Sequence, residues 1–160
     1  MRRLAYAGIM SATLLVPAYA TPADEGHAAV EQWIDTFNAH DVAATVELYT
    51  PDALVWTTAG RSLASGSDAF TAYFTAVYGS PLTATLGEHA TLAVTDDVVV
   101  DAGQIDVTNG STGAVTPLRY HFVLVRTDDG WRIAAHHSSR LPDPPATPAP
   151  AAPPAAPGGG

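Results

Sequence analysis

The spacing of apolar positions changes once along this chain. Val30, Trp33, Ile34 and Phe37 fall at i, i+3, i+4 and i+7, which predicts one buried helix face over about 24–38. Asn38-Ala39-His40-Asp41 interrupts that pattern, and Asp41 can cap a second, short helix with Val42, Val46 and Tyr49 on its apolar side. Pro51-Asp52 is expected to end it, and Leu54 to Thr57 reads as a short strand. Ser67 is a suitable N-cap for a third helix, whose buried face would be Phe70, Tyr73, Phe74 and Val77 before Gly79-Ser80-Pro81 stops it.

From Leu82 onward the period becomes two. Leu82, Ala84, Leu86, Ala90, Leu92 and Val94 are expected on one face of a strand over 82–94. Asp96-Asp97 makes a turn, 98–108 a second strand, and Asn109 to Gly113 a Gly-rich turn. Leu118 to Arg126 and Trp131 to Ser139 are expected to pair as a hairpin across Thr127-Asp128-Asp129-Gly130. Helices first and an antiparallel meander after them predict an α+β domain, with the helices on the concave face of a strongly curved sheet and a pocket at its mouth.

The ends of the chain read differently. Residues 1–20 have the form of a secretory signal peptide: Arg2 and Arg3, an apolar run from Leu4 to Val16, then Ala18-Tyr19-Ala20 as an A-x-A cleavage pattern. The run is shorter than the roughly 20 residues that span a bilayer, so no stable membrane anchor is expected after processing, and the mature chain should start near Thr21, secreted or periplasmic. Residues 142–160 hold eight of the 13 prolines and are expected to form a disordered Pro/Ala/Gly-rich tail. The folded domain is thus expected over 21–141. Seven Arg, no Lys and 16 acidic residues give a net charge of −9, which argues against a nucleic-acid binder. The absence of Cys excludes disulfides, thiolate catalysis and Cys-ligated zinc.

Two stretches then stand out. One is Val30-Glu31-Gln32-Trp33 through Phe37-Asn38-Ala39-His40-Asp41 to Leu48-Tyr49-Thr50-Pro51-Asp52-Ala53. The other is Arg119-Tyr120-His121-Phe122-Val123, Asp129-Gly130-Trp131-Arg132-Ile133 and His136-His137-Ser138-Ser139, followed by Leu141-Pro142. With the order of elements, they make the chain resemble the nuclear transport factor 2-like superfamily, and within it the bacterial SgcJ/EcaC family, related to the association domain of calcium/calmodulin-dependent protein kinase II. The resemblance implies a cone-shaped α+β fold with N-terminal helices packed on a curved, mainly antiparallel sheet, commonly a homodimer through that sheet. It does not imply one activity, since the superfamily contains isomerases, hydratases, epoxide hydrolases, cyclases and non-catalytic scaffolds.

Candidate chemistry centres on the adjacent pair His136 and His137. Neighbours on a regular strand point to opposite faces, so the two cannot ligate one metal together, and no metal is expected. One imidazole of the pair can line the cavity as a hydrogen-bond donor or acid/base while the other lies at a surface or interface; which one does so depends on register and bulges. Parity with Trp131 and Ile133 puts His137 inward with Ser139, in agreement with the resemblance. Arg119 and His121 share a face of the preceding strand; Arg119 suits a carboxylate in the pocket or, equally, solvent near the strand end or a structural acid such as Glu88 or Asp101. Asp101 is either an inward acid/base carboxylate or part of a solvated strand face. Tyr49, Trp56, Tyr73 and Phe74 are expected as core or cavity wall.

The reading is an exported domain that binds a small, mainly apolar molecule in a cone-shaped pocket formed with Tyr49, Trp56, Tyr73, Arg119 and His137. Any catalysis there would be proton transfer or hydrolysis without an organic cofactor, drawn from His137, Arg119, His121 and Asp101. The rival reading is a non-catalytic oligomerisation or association module, which a large exposed apolar sheet face would favour.

Overall fold

Thr21 starts the first helix by reciprocal capping: its hydroxyl accepts from the Asp24 N–H while the Asp24 carboxylate accepts from the Thr21 N–H at 2.9 Å. With Pro22 in the first turn, where no N–H is needed, α1 spans Pro22–Ala39 and buries Val30, Trp33 and Phe37. It ends at His40, whose left-handed φ of 54° closes the helix. Asn38 then acts as a surrogate strand partner, donating to the Ala84 carbonyl at 3.0 Å and accepting from the Ala84 N–H at 2.7 Å. The computed structural model describes residues 20–142. The expected leader (1–20) and tail (142–160) lie, except for one residue each, outside them.

Asp41 caps α2 (Val42–Glu47) through the Ala44 N–H, as its position suggests. The chain turns to strand sooner than expected. Tyr49 already belongs to β1 (Tyr49–Trp56), so Pro51 and Asp52 lie inside a strand rather than at a helix end. They fall where β1 loses register with its neighbour, so the missing proline N–H leaves no ladder bond broken. A two-residue strand β2 (Ala64–Ser65) precedes α3 (Ser67–Val77). The cap of α3 is Gly66 with φ of 89°, not Ser67, and makes no side-chain bond; Phe70 and Phe74 anchor this helix.

Strands β3 (Leu82–Thr95), β4 (Val98–Asn109), β5 (Val115–Thr127) and β6 (Gly130–Arg140) complete an open six-stranded sheet in the order β2-β1-β6-β5-β4-β3. All pairs are antiparallel except β1 with β6, so the sheet is mixed. The helices lie on one face, with α1 against β3 and β4 and α3 against β1 and β2. The α+β fold class is as the pattern predicts. Among the described residues, no helix is long and apolar enough to cross a membrane.

Two bulges set the faces of β6 and β3, and a third irregularity, with Val94 extra between the pairs Ala93–Val99 and Thr95–Val98, lies at the end of β3. In β6, Val123 of β5 faces Ala135 while the next residue, Leu124, faces Ile133, so Ala134 is extra. In β3, Gly87 and Glu88 together oppose Gln104, between the pairs Leu86–Ile105 and His89–Gly103. Each extra residue reverses the faces of everything beyond it. Ala84 is therefore buried, as expected, while Leu92 and Val94 point out of the core with exposures of 64% and 56%.

Candidate functional site

The helices do not seal the sheet completely. Between α1, α3 and the inner faces of β3 to β6 lies a cavity of about 450 Å³. Its floor is Trp33, Phe37, Phe74, Ala84, Ile105 and His136, all buried. Exposed residues form its rim: Thr58, Ala59, Thr112, Ala114 and Arg140. The wall is mostly apolar, and among the described residues Arg140 is the one lining residue that carries a full charge at neutral pH, with no Asp or Glu beside it. Volume and lining are of the kind that accepts a small organic molecule.

His136 is the central polar group of the floor. Trp33, on the buried face of α1, donates its indole N–H to the Tyr49 hydroxyl at 2.8 Å. The same hydroxyl lies 2.8 Å from Nδ1 of His136. Indole can only donate, so the Tyr49 oxygen accepts there and spends its own proton on His136 Nδ1. Burial holds the Tyr49 phenol well above its usual range, so that proton stays. Burial, with His137 and His121 nearby, pushes the His136 imidazole down to about 3, so the ring is neutral at physiological pH. With Nδ1 occupied as an acceptor, its proton resides on Nε2. That N–H has no protein partner among the described residues. Phe122 at 4.3 Å and the edge of Trp33 at 5.3 Å between ring centroids hold the imidazole in place. A fixed, neutral N–H donor in an apolar chamber can bind and polarise a carbonyl or similar acceptor.

Two further polar groups flank it. Tyr73 of α3 lines the cavity, and its hydroxyl accepts from Thr57; burial pushes its pKa up, so the phenol stays protonated. Ser138, two residues beyond His136 on the same face, accepts from the Thr58 N–H at 3.3 Å.

The face assignment of the histidine pair is the reverse of the parity expectation. His136 and Ser138 face the cavity; His137 and Ser139 face away from it. The Ala134 bulge is the reason, because it shifts the alternation set by Trp131 and Ile133, both still buried. The two-residue turn at Asp128-Asp129 pairs Thr127 with Gly130 and brings His121 opposite His137, with ring centroids 5.7 Å apart on the outer face. Arg119 is exposed on that same face, where its Nε–H donates to the Ser139 hydroxyl at 2.9 Å. Trp56 is also on the outside, 53% exposed beside His137. Tyr49 does not line the cavity but lies behind His136.

Asp101 is inward but outside this cavity. It is wholly buried and accepts from the Tyr120 hydroxyl at 2.7 Å, the Thr91 hydroxyl at 2.6 Å and Nδ1 of His27 at 2.9 Å. Three donors satisfy the carboxylate, and its charge with burial raises the Tyr120 phenol far above its normal range. His27 belongs to α1 and stacks on His89 of β3 at 4.1 Å. The cluster ties the start of α1 to β3, β4 and β5, a structural role rather than an acid/base one.

Sequence reasoning did not single out Asn38, His27 or Arg140 for any role. Arg140 had a readable signal, since it continues the His136 and Ser138 face two residues on. His27 and Asn38 had none, because their partners lie 74 and 46 residues away.

Helices laid on one face of an open, bulged six-stranded sheet, around a pocket at one end, define the nuclear transport factor 2-like class of α+β domains. Within it, the chain belongs to the SnoaL-like domain family, whose sequence profile matches residues 27–144. Solved structures agree on the fold. A putative calcium/calmodulin-dependent protein kinase II association domain from Xanthomonas campestris superposes with a TM-score of 0.69 at 24% identity, covering 82% of this chain and 99% of its own. A ketosteroid isomerase-like protein from Erwinia carotovora gives 0.64 at 22% identity, over 78% and 100% of the two chains. A putative dehydratase from Streptomyces avermitilis gives 0.68 at 16% identity, over 76% and 96%. No curated protein sequence matches the chain.

Proposed function

We propose that this protein binds a small, mainly apolar molecule carrying a hydrogen-bond acceptor in the cavity between its helices and sheet. The observation that carries this reading is the unpartnered Nε2–H of a neutral His136 on the floor of a 450 Å³, largely apolar chamber. The Trp33–Tyr49 chain behind it fixes the tautomer, so the donor is in place before a ligand arrives. The same polarisation is what an isomerase or dehydratase reaction on a carbonyl compound would use. His136 would then be the electrophilic donor, and the proton acceptor would have to come from the ligand itself or from water, since burial keeps the Tyr73 phenol protonated.

The test compares two adjacent residues with the same chemistry. Native mass spectrometry of protein recovered from its host, and titration with the ligand so found, should show His136→Ala weakening binding at least about tenfold, the worth of one buried hydrogen bond. His137→Ala should leave it unchanged. Equal loss in both, or loss only in the His137 variant, removes the cavity donor from the account.

A second reading rests on a separate observation. Leu54, Ala135, Val123, Val100 and Leu92 are register neighbours in one row across five strands of the outer sheet face. Trp56, His137, His121, Ala102 and Ala90 form the next row. Leu54, Trp56 and Leu92 are exposed, and Val100, Ala102, Val123 and Ala135 between them are half-buried; apolar surface of that extent marks an association face, and a second copy of the chain is the proposed occupant. Association and ligand binding use opposite faces of the sheet and are compatible. For export, the support is local. Thr21 immediately follows the Ala18-Tyr19-Ala20 pattern and is already the cap of α1, so a chain cleaved there keeps its capping residue, and a new α-amino group at Thr21 would still donate to Asp24.

A further inference from the structure

The charge distribution around the cavity narrows the class of ligand, given that the cavity is a binding site at all. The chain carries 16 acidic residues against seven arginines, yet among the described residues no acid lines the cavity. One arginine does. Arg140 is at the rim, at the end of β6, paired across the ladder with Leu118, another lining residue. Among the described residues no carboxylate pairs with Arg140. The other arginines that β5 and β6 contribute have structural contacts: Arg126 with Glu25 and Trp131, Arg119 with Ser139, Arg132 with the Trp131 carbonyl. A guanidinium with no counter-ion among the described residues, at the mouth of an apolar chamber, in a strongly acidic molecule, matches an anionic group on what enters.

The spacing adds a second constraint. His136, Ser138 and Arg140 are alternate residues on the cavity side of one strand, so the Arg140 backbone is about 13 Å along β6 from that of His136. A ligand spanning floor to rim therefore has its acceptor and its anionic end separated by an apolar body. The anionic end sits in reach of water, which avoids the cost of burying a charge, and the guanidinium offers two parallel donors that suit a carboxylate.

We infer that the cavity takes an elongated apolar carboxylic acid, with its carboxylate at Arg140 and a neutral hydrogen-bond acceptor at the far end of its apolar body directed toward His136. This also gives the site a direction of entry: the acceptor end goes in first and the carboxylate stays at the rim.

The inference is testable with a matched pair of probes, 9-oxodecanoate and its methyl ester, titrated calorimetrically into the full chain, into Arg140→Gln and into Val107→Trp, which fills the cavity from β4. Wild type should bind the acid about tenfold more tightly than the ester, a charge-assisted pair's worth. Arg140→Gln should bring the acid down to the ester's affinity and leave the ester unchanged. Val107→Trp should abolish both. If acid and ester bind equally in wild type, or Arg140→Gln does not weaken the acid, the carboxylate assignment is overturned while the cavity reading stands. If neither probe binds wild type, or Val107→Trp leaves binding intact, the cavity reading fails and takes this inference with it.

Discussion

His136 shows how a single side chain acquires its properties from what surrounds it. Its sequence neighbour His137 has the same chemistry and is exposed. His136 is enclosed by Trp33, Phe122 and Tyr49, and enclosure removes the water that would stabilise an imidazolium. The consequence is a pH dependence with a definite sign. The folded ring protonates near 3 and the unfolded one near 6.5, so between those values the unfolded chain takes up a proton that the folded chain refuses. Stability is therefore unaffected by this group above about pH 6.5 and falls as the pH drops below it. Urea unfolding at pH 7 and pH 4.5 should show wild type losing on the order of 2 kcal/mol more than His136→Gln over that interval. Parallel losses in the two proteins would show that His136 is not held neutral. Asp101 makes the complementary point. It has the burial expected of a tuned acid, but Tyr120, Thr91 and His27 hold both of its oxygens, and it lies outside the cavity.

At the level of the strand, the two bulges decide what faces what. Ala134 turns His136 and Ser138 inward, and the Gly87-Glu88 pair turns Leu92 and Val94 outward. The second bulge depends on Gly103 opposite it. A Cβ there would be 2.3 Å from the Glu88 carbonyl oxygen and 2.7 Å from the His89 Cα, both backbone atoms that cannot rotate away. Gly103→Ala is expected to destabilise the domain by more than about 2 kcal/mol, in the range of an overpacked core. Gly87→Ala, whose Cβ would come no nearer than 3.4 Å to the Gln104 Cβ and 3.5 Å to its carbonyl oxygen, should cost clearly less. Thermal unfolding of the two variants decides the matter; equal losses would mean that the bulge relaxes.

For the whole molecule, the sheet separates two surfaces with different uses. The inner side, closed by α1 and α3, holds the cavity; the outer side presents Leu54, Trp56, Leu92 and Val94 to solvent in the single chain. If a second copy covers the outer side, Leu92→Asp should shift the protein toward monomer in sedimentation velocity, because two carboxylates would be buried without partners across a symmetric contact. Ligand affinity should be unchanged, since Leu92 does not line the cavity. Unaltered sedimentation, at a concentration where wild type is dimeric, would put the contact elsewhere.

The sequence by itself determined the class of fold. Val30, Trp33 and Phe37 at helical spacing, Asp41 as a cap and the period-two run after Leu82 all act through neighbours a few residues away, and local spacing records them faithfully. It also singled out the histidine pair as the place to look. Only the tertiary structure decided which histidine meets the cavity, because one extra residue in β6 reverses a face and nothing in Ala134 itself announces a bulge. The same holds for the Trp33–Tyr49–His136 chain, for Asp101 with His27, and for Arg140 at the rim. Each is a meeting of side chains from different elements, and whether they meet is set by strand register and by how a helix lies on a sheet, not by anything within reach of a local pattern.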